Sequence, residues 1–208
     1  MIVAPPRIHE SAIVEDGVVI GDGTAIWDNV HIRRDAILGA DCIVGEKSYI
    51  AYDVRIGNRV KINAFVYICA GVTLQDGVMV SAGTVFTNDR FPRATEPTLS
   101  RLRGSDPDES TRTTLVKNGA TIGANATIGT DLSIGAFAMV GMGAVVTKSI
   151  ADFHLVIGNP ARCVGCVCRC GELIHRFDPH VALPHCTCIC SACGRAYEVM
   201  AGRVTESS

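Results

Sequence analysis

Aromatic residues are scarce, at 5% of 208 positions, and charged residues reach only 19%. Few aromatics beside 21 glycines argue against an ordinary helical bundle. No apolar run approaches the roughly 18 residues that a membrane-spanning helix needs. The opening MIVAPPRIHE lacks the basic-then-apolar layout of a signal peptide, so the expectation is a soluble cytoplasmic protein with no membrane contact. A surplus of one charge is missing too: 19 Lys and Arg stand against 21 Asp and Glu, for a formal net charge of −2. That balance gives no electrostatic pull toward nucleic acid or an acidic lipid surface. Disorder is excluded from the other side, because 48% of the residues are hydrophobic.

What the chain does have is a period. Stepping by six from Ile8 meets Val14, Ile20, Ile26, Ile32, Leu38, Val44, Ile50, Ile56, Ile62, Ile68, Leu74, Val80 and Phe86. The series lapses and returns at Val116, Ile122, Ile128, Ile134, Val140 and Val146. Against a 48% hydrophobic background, 20 hits in 20 has a chance of about one in a million. Two residues before each hit sits a small or β-branched residue (Val18, Thr24, Val30, Ala36, Ala120, Ala126), with Leu132 as the exception. Three residues after it sits a turn former, such as Gly17, Gly23, Asn29, Asp35, Asp41, Asp53, Gly77, Gly83, Asn125 or Asp131. These residues tolerate φ > 0 at least cost. Each hexad therefore reads as a short strand with two inward residues and a tight corner. On a helix, one hexad overshoots a turn and a half, so the apolar residues would walk around the surface. A solenoid with straight sides fits, and the chain reads as all-β.

The lapse at residues 87–115 is polar and holds Pro92, Pro97 and Pro107. It reads as an excursion from a coil corner, of a length that is usually functional. Residues 1–165 form the solenoid unit on this reading, and residues 166–208 form a cysteine-rich tail.

Three stretches carry a resemblance: IWDNVHI from Ile26, VFTNDRFPRAT from Val85, and VGMGAVVTKSIADFHLVIGNPARCVG from Val140. Together they resemble the hexapeptide-repeat nucleotide-sugar 3-N-acetyltransferases. The resemblance implies a left-handed parallel β-helix with three sides per coil. It implies a homotrimer with sites between subunits, and transfer of acetyl from acetyl-CoA to the 3-amino group of a UDP- or dTDP-linked sugar. TNDRFPRA carries the substrate inference, and GNPAR the coenzyme inference.

The residues themselves suit that chemistry. Thioester aminolysis needs a neutral amine held against the carbonyl and donors aimed at the developing oxyanion. Asn88 offers an amide oxygen to orient the amine, and Asp89 can accept a hydrogen bond from amine or hydroxyl. Thr87 opens the same motif as a substrate contact. His31, beside the inward Ile32, points outward as a general base or a sugar or pyrophosphate contact. Arg33 and Arg34 can pair with a pyrophosphate or a carboxylate. Lys148 and Arg162 would meet the phosphates of coenzyme A. Gly141, Gly143 and Ala144 would leave room for the pantetheine arm, and the turn with Asn159 and Pro160 would receive the adenine end. An alternative is an O-acetyltransferase acting on a sugar or small alcohol, for which a His31 base is indispensable. A metal hydrase on the same solenoid would need three converging histidines, which His9, His31 and His154 do not supply by spacing. A bare scaffold has no use for the excursion or GNPAR.

Eight of the 10 cysteines fall between Cys163 and Cys193. Without a secretion signal, such clustering more often means metal than disulfides. Two Cys-Gly knuckles about twenty residues apart resemble a zinc ribbon, with Cys168, Cys170, Cys190 and Cys193 as ligands of a closed structural Zn2+ site. Cys166, Cys186 and Cys188 are spare, and any of them could displace one of those ligands. The tail carries four arginines against four carboxylates, so it has no nucleic-acid footprint, and a packing or lid role is expected.

Overall fold

In the computed structural model, which describes residues 4–104, 106–109, 111–178 and 185–207, the hexads wind into a three-sided parallel β-solenoid. Arg7 stands opposite Ala25 and Ile8 opposite Ile26, so one coil takes three hexads. The first wall stacks Arg7–Ile8, Ala25–Ile26, Ile43–Val44 and their successors. The second stacks Ile13–Val14, His31–Ile32, Tyr49–Ile50, Tyr67–Ile68, Val85–Phe86, Thr127–Ile128 and Val145–Val146. The third runs from Val19–Ile20 to Leu132–Ile134. No helix occurs among the described residues, and so none is long and apolar enough to cross a membrane.

The six-residue series fills the prism. Ile32, Ile50, Ile62, Ile68, Leu74, Ile122, Ile128 and Ile134 are fully buried, and the small companions Val30, Ala36, Ala120, Ala126 and Ala138 sit beside them. The first coil departs from the expectation: Ile8 and Val14 remain exposed, because no described coil stacks beneath them. Corners fall where the turn formers stand, with φ between 53° and 63° at Asn29, Asp35, Asp41 and Asp53. The same conformation is imposed on Lys47, Arg59, Phe65 and Phe137, which a turn-propensity reading passes over. A left-handed L-residue costs about 1–2 kcal/mol. The coil holds these residues there because their neighbours one coil away are already hydrogen-bonded.

The excursion leaves after Phe86 and ends at strand Thr114–Val116, which pairs with Val72–Leu74 on one side and Leu132–Ile134 on the other. Winding thus resumes at Thr114, ahead of the Val116 that the apolar series implies, since Thr114 and Leu115 already pair with Val72 and Thr73. Ser105 and Ser110 of the excursion lie outside the described residues. Within it, Thr95 and Leu102 bridge antiparallel, and Arg101 closes an ion pair of 2.6 Å on Glu96.

At the far end the first wall continues through His154–Ile157, then turns antiparallel through Arg162–Val167 and Leu173–Arg176. Strand Arg162–Val167 runs across the 165/166 division drawn from the sequence, so solenoid and tail share a sheet. A second sheet of His185–Ile189, Ala196–Met200 and Arg203–Glu206 follows. An aromatic chain joins it to the prism: Phe137 stacks on Phe153 at 5.6 Å, and Phe153 meets Tyr197 edge-on at 5.4 Å. The Arg169 guanidinium lies 4.5 Å from the Phe137 ring.

Ile68→Ala removes a side chain with no exposed surface from the middle of the prism. It is expected to lower stability by about 2–5 kcal/mol. Urea unfolding checks this, with a lower midpoint at unchanged m.

Candidate functional site

The coil places side chains in columns, one residue from each coil, and one column holds the candidates Arg33 and Thr87 with others beside it. It is the residue just past each second-wall strand: Glu15, Arg33, Ala51, Cys69, Thr87, then Gly129 and Thr147 beyond the excursion. The corner residues next in sequence are Arg34, Tyr52, Ala70 and Asn88.

Glu15 organises the start of this edge. Its carboxylate lies 2.9 Å from His31 Nε2, 2.7 Å from Arg33 Nε, and accepts the Arg34 backbone N–H at 2.9 Å. The Arg33 Nε contact is an ion pair whose N–H is not aligned for a hydrogen bond. Partial desolvation raises the Glu15 pKa, but the Arg34 amide, His31 and Arg33 outweigh it and hold the carboxyl below its ordinary value. His31 meets Tyr49 edge-on at 5.5 Å, and Tyr49 stacks on Tyr67 at 5.2 Å. A neutral His31 that donates Nε2–H to Glu15 keeps Nδ1 as its lone-pair nitrogen.

Arg33 is less available than the sequence suggests. Its guanidinium donates to Tyr49 Oη at 3.0 Å and to Tyr52 Oη, and lies over the Tyr52 ring at 4.3 Å. Arg34 covers the same ring at 4.4 Å, and its guanidinium pairs with Asp106 of the excursion at 3.5 Å. Tyr52 is thus held between two cations. Glu15, Tyr49 and Tyr52 were missed by motif reading. The signal for them is the three-hexad coil, which sets Glu15 beneath Arg33, His31 beneath Tyr49 and Arg34 beneath Tyr52.

Asn88 does not join this group within one chain. His31–Ile32 and Val85–Phe86 are separated by two strands, so three strand spacings, about 14 Å, lie between His31 and the Asn88 corner. Asn88 is half-buried, and its carbonyl accepts the Arg112 N–H at 3.3 Å. Asp89 is exposed and lines two clefts. One, of about 470 Å³, is built from the excursion with Arg93, Arg101 and Arg103. The other, of about 350 Å³, is lined by Thr87, Asp89, Arg90, Thr130, Asp131 and Thr147.

Lys148, the residue after Thr147, opens a third cleft of about 380 Å³, shared with Ser149, His154, Ala161, Arg162 and Cys163. Lys148 and Arg162 therefore come together, and no carboxylate lines that cleft among the described residues. The turn bearing Asn159 and Pro160 is exposed and docks on the second wall: Val145 N–H donates to Gly158 O at 3.0 Å, and Ala161 N–H to Val145 O at 2.8 Å. Gly141 and Gly143 lie on the coil beneath. Ala144 points the other way: it is fully buried in the prism, and its N–H is spent on Gly141 O at 3.3 Å. It faces the core because it occupies the small inward position of its hexad.

In the tail, the Sγ atoms of Cys168, Cys170, Cys190 and Cys193 all lie within 4.8 Å of one another. Cys168 and Cys193 approach to 3.4 Å, and Cys170 and Cys190 to 3.6 Å. Two tight turns present them, closed by Gly171 N–H to Cys168 O at 2.8 Å and Gly194 N–H to Cys190 O at 2.9 Å. Both glycines sit at positive φ, which explains the Cys-Gly sequence of each knuckle. Tyr197 Oη lies 3.1 Å from Cys168 Sγ. Backbone and side-chain hydrogen bonds from Arg195 hold the Cys193 thiol down to about 6. Four convergent thiols with donors aimed at their sulfurs fit a closed tetrahedral ion.

Coil, corner column and six-residue period together define a hexapeptide-repeat β-solenoid. The chain carries hexapeptide repeats: residues 17–52 and 53–88 match the bacterial transferase hexapeptide (six repeats), and residues 35–70 and 118–148 match the hexapeptide repeat of succinyl-transferase. It is similar to a dTDP-3-amino-3,6-dideoxy-alpha-D-galactopyranose 3-N-acetyltransferase of Aneurinibacillus thermoaerophilus, at 39% identity over 98 residues. The match covers 47% of either sequence, so the chain spans about half the length of that relative. Among solved structures it is similar to the acetyltransferase domain of PglB from Neisseria gonorrhoeae FA1090 in complex with acetyl coenzyme A. That match has 20% identity and a TM-score of 0.49, covering 77% of this chain and 58% of that one. The D94A mutant of AntD, an N-acyltransferase from Bacillus cereus, in complex with dTDP and coenzyme A, matches at 19% identity and a TM-score of 0.49, covering 80% and 84%.

Glu15 has a depressed folded-state pKa, so its contribution to stability is present above its ordinary value of 4.5 and is lost as pH falls through the folded value. Thermal unfolding at stepped pH is expected to show this acid-side loss, and Glu15→Gln is expected to flatten it.

Proposed function

We propose that the chain is an acetyl-CoA-dependent N-acetyltransferase acting on the 3-amino group of a UDP- or dTDP-linked amino sugar. The observation that carries this reading is the continuous edge of the second wall. Asp89, Asp131 and Thr147 line one cleft, and Lys148 opens the next with Arg162, which supports an amine site beside an anion site along this edge. The identity to a dTDP-amino-sugar 3-N-acetyltransferase supports the substrate class.

In this reading Lys148 and Arg162 hold the phosphates of acetyl-CoA, Asn159 and Pro160 flank the adenine, and Gly143 leaves room for the pantetheine arm, since a Cβ there would meet nothing within 4 Å, whereas at Gly141 it would meet Ile157 at 2.7 Å. Asn88 orients the neutral amine, with Asp89 and Thr87 on the sugar. The amine nitrogen attacks the thioester carbonyl, the C–N bond forms, and the C–S bond breaks to release the thiolate of coenzyme A. That thiolate takes the amine proton, so no dedicated base is needed. His31 and Arg34, further along the edge, bind the nucleotide end, and Arg33, held by Glu15, Tyr49 and Tyr52, positions them. Exposed Ile13, Tyr67 and Val85 on the same wall support a homotrimer with sites between subunits. Both co-substrates are cytoplasmic metabolites, and the enzyme works in that compartment on this reading. The four-thiol cluster holds a structural Zn2+, and no step passes through it.

The His31–Glu15 pair favours one second reading, an O-acetyltransferase in which Glu15 orients His31 as general base. Thiol release from acetyl-CoA, measured against 3-amino, 4-amino and hydroxy nucleotide sugars, separates the two. On an amino sugar, Asn88→Ala is expected to cut kcat by about two orders of magnitude. His31→Asn is expected to raise KM with kcat largely kept. A collapse of kcat in His31→Asn on hydroxy substrates, with no turnover of amino sugars, selects the second reading. Cys190→Ser combined with Cys193→Ser is expected to lower Tm by several degrees and to release zinc.

A further inference from the structure

Three donors of the tail stand outside the four-thiol cluster and converge on one another. Cys186 and Cys188 are two residues apart on strand His185–Ile189, so the pleat turns both thiols to one side. A straight strand would carry residues i and i+2 about 6.7 Å apart. Their Sγ atoms stand only 3.6 Å apart, so the side chains lean toward a common point. His175, on strand Leu173–Arg176, brings a ring nitrogen to the same point, and the three ligand atoms lie within 4.8 Å of one another. All three residues are half-buried, so the donors are partly withdrawn from water but reachable by an ion.

A fourth donor stands near them, with its sulfur outside the 4.8 Å group. Cys166 is the register partner of His175 and has no exposed surface. It packs in the same buried group as Cys186 and Cys188. The pairing that sets it beside His175 depends on Gly165, where a Cβ would stand 2.3 Å from the His175 carbonyl oxygen. Three thiols and one imidazole are a donor set for zinc, and a tetrahedral ion with Zn–S of about 2.3 Å has S···S edges of about 3.8 Å. A separation of 3.6 Å suits two ligands of one cation; a disulfide would need about 2.05 Å.

We propose that His175, Cys186 and Cys188, with Cys166 as fourth ligand, form a second structural zinc site, so that the tail binds two ions. Zn2+ displaces the proton of each thiol to solvent, and three thiolates with a neutral imidazole leave a complex of net charge −1. The first site joins the two knuckle turns. The second joins the strands behind them, clamping the wall extended from the solenoid to the sheet that begins at His185. This assignment does not rest on the acyl-transfer reading, since it concerns the fold of the tail alone.

The test is the metal content of the full chain, purified reduced without chelator, loaded with zinc, desalted and measured by plasma mass spectrometry. Two equivalents per chain are expected. Cys186→Ser combined with Cys188→Ser, and His175→Ala alone, are each expected to lose one equivalent while keeping the other, and His175→Cys is expected to keep both. Should a variant fail to fold, the wild-type chain decides: a chelating dye is expected to withdraw zinc in two phases of one equivalent each. A single equivalent in the wild type, a content unchanged by the paired serine substitution, or a Cys186–Cys188 disulfide found by mass spectrometry in place of the second ion would each overturn the proposal.

Discussion

One ladder governs the molecule: backbone N–H groups of each coil donate to carbonyls of the next, as Ile13 does to Val30, His31 to Ser48 and Tyr49 to Val66. It leaves each residue little choice of neighbour. An inward aliphatic meets the inward aliphatics of adjacent coils, and the third residue after it, at the end of the corner, takes the left-handed conformation even where its side chain is not a turn former. Lys47, Arg59, Phe65 and Phe137 are such residues. Strain at a few corners is outweighed by burial along the whole prism, where each enclosed aliphatic contributes about 1.5–3 kcal/mol.

The same ladder arranges the chemistry. Outward side chains form columns at the strand spacing, about 4.8 Å per coil. Groups one coil apart touch, as Glu15 and Arg33 do, and groups three coils apart, such as His31 and Asn88, are kept separate. The excursion is the one large break among the described coils. It leaves from the edge where Arg34 and Tyr52 stand and reaches back to that edge through Asp106. A rigid wall with a long loop laid beside it is a common way to build a binding edge, since the wall fixes positions and the loop supplies shape.

The tail solves a different problem. A solenoid ends in an open row of backbone donors and acceptors, and such an edge invites pairing with other chains. Here the first wall ends by turning antiparallel through Arg162–Val167 and Leu173–Arg176. The turn at Gly158 to Ala161 occupies part of the second wall's edge. Phe137, Phe153 and Tyr197 then carry the contact to the small sheet. That sheet has little apolar core of its own, and the buried group it shares with the solenoid end is Tyr197, Val199 and Val204 with Phe153, Cys166, Cys168 and Cys190.

The period of six, read from Ile8 to Val146, by itself determined the parallel solenoid, its corners and its inward residues. A repeat whose burial is local leaves its mark at every turn. The cysteine spacing likewise marked Cys168, Cys170, Cys190 and Cys193, because knuckles closed by glycine are local structures. Only the folded coil decided that Glu15 grips His31, that Arg33 is committed to Tyr49 and Tyr52, and that Cys166 and His175 stand opposite one another. Those relations join residues a full coil or a hairpin apart, through stacking and strand register. No local propensity encodes such neighbours, since they exist only once the coils have closed on each other.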